Sequence, residues 1–193
     1  MKNGFFALIA RMRYIRRWGL MRNSIAENVQ EHSHLTAVIA HTLAIVRNRE
    51  FGGAVDAGEC AVAALYHDAA EILTGDMPTP VKYHNAEITA AYKRVEDLAS
   101  AKLLTLLPER LRRDFMPLLN GGSNEVQELV RAADKLSAYV KCVEERLAGN
   151  TEFRSAEIQT LDALESCGLP EVTYFLENFM PAFGATLDEL TEE

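Results

Sequence analysis

Two histidines and two aspartates have the types and spacing of a metal-binding set. His32 lies three residues before Leu35, at the head of a helically spaced apolar stripe, so its side chain is expected to point inward. His67 and Asp68 follow small residues at helical spacing, and Asp134 lies within another helical pattern. Imidazole nitrogens combined with carboxylate oxygens suit Mn, Co, Fe or Zn better than Mg or Ca.

The same four residues are also compatible with a metal-free core. A single inward histidine is more often a hydrogen-bonded core residue than a ligand. An isolated buried aspartate is harder to account for, because an ionised carboxylate in apolar surroundings is costly unless it is paired or bound to a metal. Spacing alone therefore leaves a metal site and a hydrogen-bonded core equally open.

The elements that would position these residues are predicted to be helices. Apolar residues recur at helical spacing from Phe5 to Met12 and from Leu35 to Val46. A third helix is predicted from Asp56, with Glu59 as capping-box partner, to about Leu73. Further helices are predicted at about 85–107, 109–119, 124–148, 152–166 and 171–190. The fold class is therefore predicted to be all-α.

Two longer non-helical stretches are predicted at 17–31 and 74–82. Both are rich in polar residues, and the second contains two prolines. Rigid scaffolds commonly place their chemistry on such segments.

Composition and charge indicate the number of domains and disfavour one class of binding partner. The chain has 193 residues, of which 48% are hydrophobic and 25% charged, which predicts one domain over residues 1–193. Residues 1–22 contain six basic residues and no acid, while the remainder carries 14 basic against 28 acidic residues. An acidic body of this kind disfavours binding to a nucleic-acid polymer.

The sequence also bears on location. The longest apolar run in the basic head is too short for a secretory leader, and no Ser precedes Ser24, unlike in a typical mitochondrial presequence. No stretch approaches the length of a membrane span. Three widely spaced cysteines fit reduced thiols. We therefore expect a cytoplasmic protein without a membrane partner.

Several motifs together resemble those of the HD-domain metal-dependent phosphohydrolases, and more narrowly the bacterial 5′-deoxynucleotidases of that superfamily. The resemblance covers nearly the whole chain, and its most specific part is the run 66–82, YHDAAEILTGDMPTPVK. The other matching segments are Arg17-Trp18, residues 27–33 and 133–135. The resemblance implies a compact helical HD-domain fold that removes phosphate from deoxyribonucleoside 5′-monophosphates and selects against ribonucleotides.

The resemblance also implies roles for individual residues. One divalent metal, such as Co, Mn or Zn, would be held by His32, His67, Asp68 and Asp134. Glu71 would orient or deprotonate the attacking water, and Asp76 would assist the departing 5′ oxygen and contact substrate. An aspartate that donates a proton at neutral pH would need a raised pKa.

Further substrate contacts are implied for Arg17, Trp18, Thr79 and Lys82, with His32 also near the substrate. A Trp side chain packed where a 2′-hydroxyl projects would reject ribose by crowding, while Arg supplies fixed donors to phosphate or sugar oxygens. Taken without the resemblance, the single tryptophan also suits a core anchor, and a lysine in this position also suits a solvated surface.

Other readings remain open. The scaffold could serve another nucleotide phosphoester, or act as a nucleotide-binding helical module without turnover. The resemblance implies a homodimer, although the aromatic C-terminal stretch 172–183 could instead complete the core of one subunit. The remaining histidines, His34, His41 and His84, are expected to be non-ligating helix residues, and Cys60 a core thiol.

Overall fold

Three helices form the centre of the fold in the computed structural model, which describes residues 3–191. The long helices α2 (Val29–Glu50) and α8 (Asn124–Leu147) pack against each other, and α3 (Ala57–Tyr66) packs against both. Their facing side chains include the fully buried Ala40, Leu43 and Leu136. Small residues on α2 and α3 allow these helices to approach closely. The predicted all-α fold class is confirmed, since the described residues contain no strand.

The remaining helices surround this centre. In chain order they are α1 (Phe5–Ile9), α4 (Glu71–Thr74), α5 (Thr79–Lys82), α6 (Ala86–Thr105), α7 (Glu109–Leu119), α9 (Arg154–Glu165), α10 (Pro170–Asn178) and α11 (Leu187–Thr191). Short 3₁₀ segments occupy Ala10–Tyr14, Thr151–Phe153 and Met180–Gly184. The predicted helix 171–190 is thus broken into pieces at Phe179, just before Pro181.

Side-chain caps fix where several helices begin. Asn28 and Glu31 form a reciprocal capping box at the start of α2. Asp56 caps α3 by accepting from the Glu59 amide at 3.0 Å, as predicted. Because α2 begins at Val29, the predicted loop 17–31 ends three residues early.

The N-terminal helix packs its apolar face on the protein. Phe5 and Met12 are buried, and the Phe5 ring lies 5.4 Å from the Phe115 ring of α7. Leu8 and Ile9 are partly buried against the same cluster, as predicted. Of the six basic residues in this head, Lys2 lies outside the described residues.

The prediction of one helix from Asp56 to Leu73 is wrong, because α3 ends at Tyr66. Residues 67–70 form tight turns, in which the amide of Ala69 donates to the carbonyl of Tyr66 at 3.0 Å. The His67 ring Nδ1 lies 2.7 Å from the Ala64 carbonyl and occupies an acceptor near the helix end. The His-Asp pair therefore lies in the turns between α3 and α4.

Part of the predicted loop 74–82 is also helical. Helix α5 is a single turn, with Pro80 in its first turn, where the missing amide hydrogen costs nothing. None of the helices in the described part of the chain is long and apolar enough to cross a membrane.

Candidate active site

Four side chains meet where α2, α8 and the turn after α3 converge. His32, on the first turn of α2, has its Nε2 3.0 Å from an Asp134 oxygen of α8 and 3.6 Å from an Asp68 oxygen. The Nε2 of His67 lies 3.1 Å from the same Asp68 oxygen and 3.9 Å from the Asp134 oxygen. Ligand atoms of His32, His67 and Asp68 all lie within 4.8 Å of one another, so the three could hold a metal ion.

The second ring nitrogen of each histidine is held by a neighbour. His32 Nδ1 lies 3.0 Å from the Ser137 hydroxyl, and His67 Nδ1 lies 2.7 Å from the Ala64 carbonyl. Such contacts are typical of ligating histidines, because they fix the ring so that the other nitrogen faces the ion. The buried Nε2 of His67 lies 3.1 Å from Asp68 but lacks hydrogen-bond geometry to any partner within residues 3–191. The donor set therefore fits a divalent transition metal.

Charges within this set perturb one another. Although burial opposes the effect, the adjacent histidines hold the pKa of Asp68 and of Asp134 below the usual range. Burial disfavours charge on His67, but Asp68 and Asp134 outweigh it and raise its pKa to about 9. The Asp68 and Asp134 carboxylates thus place negative charge beside the imidazole nitrogens of His32 and His67. This arrangement favours binding of a cation.

Two further carboxyl groups lie beside the set. Glu71, the first residue of α4, is 6% exposed, and its Oε2 is buried without a hydrogen-bond partner in the part of the chain described. Burial, followed by the charges of Asp68 and Asp76, raises the pKa of Glu71 to about 9. Burial also raises the pKa of Asp76, in the loop between α4 and α5, although Arg17 opposes the shift. Burial thus favours the neutral form of both groups, and carboxyl groups shifted in this direction are candidates for acid–base roles.

Arg17 connects the N-terminal segment to this site. Its Nη1 lies 3.4 Å from Asp68 Oδ2, and its Nε lies 3.3 Å from Glu27 Oε2. Desolvation would lower the pKa of Arg17, but the charges of Asp68, Asp134 and Glu27 more than compensate and raise it. The guanidinium therefore stays charged at the edge of the carboxylate set.

Trp18 is held beside Arg17 in an unusual backbone conformation. Its φ is +58°, a left-handed value that is rare for a bulky residue. The indole Nε1 donates to Glu27 Oε2 at 2.7 Å, and the ring lies 5.2 Å from that of Phe153. Trp18 is only partly buried, so a portion of its side chain is accessible.

The two other residues expected to contact substrate lie on α5. Thr79 is exposed at its start. Lys82 donates to Glu96 at 2.8 Å, and its ammonium lies 5.0 Å from the centre of the Tyr92 ring. The Lys82 charge is therefore already partnered by α6.

The remaining histidines are not part of the cluster that could hold a metal ion. His34, His41 and His84 are exposed. Cys60 is fully buried in the central core, and burial raises the pKa of its thiol to about 11, which fits the predicted core role. The C-terminal residues Val172 and Phe175 are likewise buried in that core.

Three residues that support the site were not predicted from the sequence. Ser137 orients His32, Glu27 contacts Arg17 and Trp18, and Glu145 binds the loop that carries them. Glu27 had a signal, because it lies in the motif 27–33. For Ser137 and Glu145 the local spacing of residues gives no such signal, because their partners lie more than 100 residues away in the sequence.

Comparisons with known proteins agree with this site. The model of the "5'-deoxynucleotidase YfbR-like" family matches residues 4–183. The 5′-deoxynucleotidases YfbR of Shigella boydii and Escherichia coli are each 48% identical over 191 residues, covering 98% of this chain and 96% of theirs.

Solved structures share the fold at lower identity. An HD-domain phosphohydrolase from Listeria innocua has a TM-score of 0.81 at 23% identity, covering 95% of this chain and 89% of its own. The HD phosphohydrolase DatZ of cyanophage S-2L, described with dA and one catalytic Zn²⁺, has a TM-score of 0.62 at 18% identity and covers 89% and 93%. Given the sequence match over nearly its full length, the chain belongs to the YfbR-like 5′-deoxynucleotidase family of HD-domain hydrolases.

Proposed function

We propose that this chain hydrolyses deoxyribonucleoside 5′-monophosphates to deoxynucleoside and phosphate, and discriminates against ribonucleotides. The observation that carries the proposal is the convergence of His32, His67 and Asp68, with Asp134 beside them. Relatives that share about half of their residues with this chain bear the name 5′-deoxynucleotidase.

His32, His67, Asp68 and Asp134 are the proposed ligands of one divalent ion. When bound, such an ion lowers the pKa of a water molecule and neutralises phosphate charge. Mixed nitrogen and oxygen ligands favour a transition metal, and Co, Mn and Zn are the proposed candidates. Ser137 and the Ala64 carbonyl orient the two imidazoles for this purpose.

Glu71 is proposed to orient the attacking water and accept its proton. In the metal-free protein a pKa of about 9 keeps Glu71 protonated at pH 7, and the positive charge of a bound divalent ion would favour the carboxylate form that accepts the proton. Asp76 is proposed to act at the other end of the scissile bond by donating a proton to the departing 5′ oxygen. Its raised pKa keeps more of it protonated than an exposed aspartate. The two carboxyl groups thus divide base and acid roles.

Arg17, Trp18, Thr79 and Lys82 are the proposed substrate contacts, with His32 and Asp76 at the same pocket. Arg17 supplies the positive charge that a dianionic phosphate needs at an acidic site. Trp18 is proposed to form the wall against a 2′-hydroxyl. Binding of phosphate by Lys82 would require its ammonium to share or leave Glu96.

Three broader proposals accompany the activity. Residues 1–193 are proposed to form one domain, although residues 1–2 and 192–193 lie outside the described part. The functional unit is proposed to be a homodimer without a nucleic-acid or membrane partner. A cytoplasmic location is proposed, and the three free cysteines, two of them buried, fit a reducing compartment.

The deciding experiment is phosphate release from matched deoxyribo- and ribonucleoside 5′-monophosphates, with Mn, Co, Zn or Mg added after chelation. We expect activity only with added metal, and higher kcat/KM for dAMP than for AMP. Equal rates for the two sugars would overturn the selectivity. Activity only toward another phosphoester would favour a different HD-type hydrolase, whereas binding without turnover would favour a nucleotide-binding module.

A matched pair of arginine variants tests the role of the N-terminal segment. Arg17→Ala removes the guanidinium beside Asp68 and is expected to lower kcat/KM for dAMP by about tenfold or more. Arg11→Ala alters an exposed arginine of the same segment and should leave kcat/KM unchanged. Equal losses in the two variants would indicate a general effect of charge and would contradict a specific role for Arg17.

A further inference from the structure

The Glu27 carboxylate lies between the two residues proposed to contact the substrate. Its Oε2 accepts from Trp18 Nε1 at 2.7 Å and from Arg17 Nε at 3.3 Å. The other oxygen lies 3.8 Å from His32 Nδ1. The Glu27 side chain is only 12% exposed. One nearly buried carboxylate therefore contacts the proposed sugar wall, the phosphate-side arginine and a proposed metal ligand.

The backbone places Glu27 opposite Arg17 independently of its side chain. The Arg17 amide donates to the Glu27 carbonyl at 3.1 Å, and an isolated antiparallel bridge joins Arg16 to Asn28. The Val29 amide also donates to the Ile15 carbonyl at 2.9 Å. Loss of the carboxylate alone would leave these backbone bonds in place. The effect of a substitution at Glu27 can therefore be attributed to the side chain.

Trp18 needs support because its backbone is strained. A left-handed φ of +58° costs energy for a bulky residue and persists only when surrounding contacts enforce it. Phe153 contacts one side of the indole, at 5.2 Å between ring centres, but an aromatic contact does not fix rotation within the ring plane. The hydrogen bond to Glu27 does fix it, and a charged acceptor makes that bond strong.

We propose that Glu27 is a positioning residue that sets sugar selectivity by fixing the orientation of the Trp18 indole and the reach of Arg17. This inference rests on the proposed role of Trp18 as the wall against a 2′-hydroxyl. Glu27 itself contacts no reacting atom. A fixed wall excludes one extra oxygen, whereas a wall free to rotate makes room for it, so loss of Glu27 raises activity on ribonucleotides relative to deoxyribonucleotides.

The first test compares kcat/KM for dAMP and AMP in Glu27→Ala and Glu27→Gln. We expect the deoxy-to-ribo ratio to fall about tenfold in Glu27→Ala, as for loss of one hydrogen bond to a charged group. In Glu27→Gln it should fall by less than about threefold, because the amide oxygen still accepts from the indole. An unchanged ratio in Glu27→Ala, or equal losses in both variants, would overturn the proposal.

Glu31→Gln is the matched control. Glu31 is exposed and caps the same helix start, and a glutamine can still accept from the Asn28 amide. Its deoxy-to-ribo ratio should equal that of the unmodified chain. A fall comparable to that of Glu27→Ala would assign the effect to any loss of negative charge in this segment, and would overturn a role specific to Glu27.

A second readout needs neither metal nor turnover. Trp18 is the only tryptophan in the chain, so its fluorescence reports this position alone. Glu27→Ala should increase acrylamide quenching and lower fluorescence anisotropy, while Glu27→Gln and Glu31→Gln should leave both near those of the unmodified chain. Unchanged quenching and anisotropy in Glu27→Ala would show that the indole is held without the carboxylate.

Trp18→Phe keeps the inference testable even if Glu27→Ala does not fold. It removes the donor while retaining an aromatic ring, so the ratio should fall, and adding Glu27→Met, which has a similar length but no acceptor oxygen, should change the ratio little further. Additive losses would contradict action through the indole. If the unmodified chain itself shows no preference for dAMP, the proposed selectivity fails, and the fluorescence comparison still decides whether Glu27 positions Trp18.

Discussion

Two buried glutamates of this chain have opposite ionisation behaviour. Glu145, on α8, is 0% exposed, and its oxygens accept from the Ser24 amide at 2.9 Å, the Ile25 amide at 3.1 Å and Asn150 Nδ2 at 2.7 Å. Lys141, one turn earlier, also donates to it. Although burial opposes the effect, these donors lower the pKa of Glu145 to about 2.

Glu71 is buried to a similar degree but has few partners. Its Oε2 lacks a hydrogen bond within the described chain, and desolvation with neighbouring carboxylates raises its pKa to about 9. Burial alone therefore does not decide whether a carboxyl group is charged, because the available donors do. Glu145 joins the loop before α2 to α8 and stabilises the fold, whereas Glu71 is costly to ionise and available for chemistry.

Substitutions at Glu71 and Glu145 should differ most in their effect on kcat. Glu71→Gln removes the proposed proton acceptor while preserving size, and should lower kcat for dAMP about a thousandfold in the metal-loaded protein. Glu145→Gln should leave kcat per folded molecule close to that of the unmodified chain. Steady-state kinetics with the folded fraction measured by circular dichroism checks this. Comparable activity in Glu71→Gln and the unmodified chain would refute the catalytic role.

The next effect is on stability. Glu145→Gln leaves Lys141, which is only 3% exposed, without its carboxylate partner, and should lower the free energy of unfolding by about 3 kcal/mol at pH 7. Urea unfolding of the metal-free protein measures this difference. A loss near zero would mean that solvent or other groups already compensate the pair.

The pH dependence of that loss has a definite sign. The folded-state pKa of Glu145 is below its unfolded value of about 4.5, so the unfolded chain binds more protons between about pH 2 and 4.5. The stabilisation is complete above this window and is lost as the pH falls through it. The deficit of Glu145→Gln should therefore shrink between pH 5 and pH 3, and a constant deficit would contradict the lowered pKa.

Glu71 should give the opposite pH dependence of stability, with a smaller change in the free energy of unfolding. The folded-state pKa of Glu71 is raised from 4.5 to about 9, so the folded chain binds more protons in that window and loses stability as the pH rises. Glutamine does not titrate. In the metal-free protein, Glu71→Gln should gain stability relative to the unmodified chain by up to about 1.4 kcal/mol between pH 6 and 7. A relative loss over this interval would refute the raised pKa.

Sequence patterns predicted the helices well where apolar spacing was continuous. The predicted 124–148 matches α8 within one residue at its C-terminal end, and 109–119 matches α7. The error at 67–70 arose because spacing does not reveal a side chain that occupies a backbone acceptor, as His67 does at Ala64. That contact lies at the end of α3, directly before Asp68.

The candidate site also has features that the sequence predicts and features that it does not. Residue types and motifs alone indicated the four proposed metal ligands and the roles of Glu71 and Asp76. Glu27 was visible in a motif, but its bond to Trp18 depends on the bridge between Arg16 and Asn28, which no helical periodicity predicts.

Local spacing and motifs are enough to predict the all-α fold class, the family and the residue types available for chemistry. Which buried carboxyl groups have donors depends on how distant parts of the chain pack together. Glu145 meets amides about 120 residues earlier in the chain, whereas Glu71 lies among other carboxylates. Those long-range contacts, which set the local desolvation and charge, make one glutamate a structural anion and the other a candidate base.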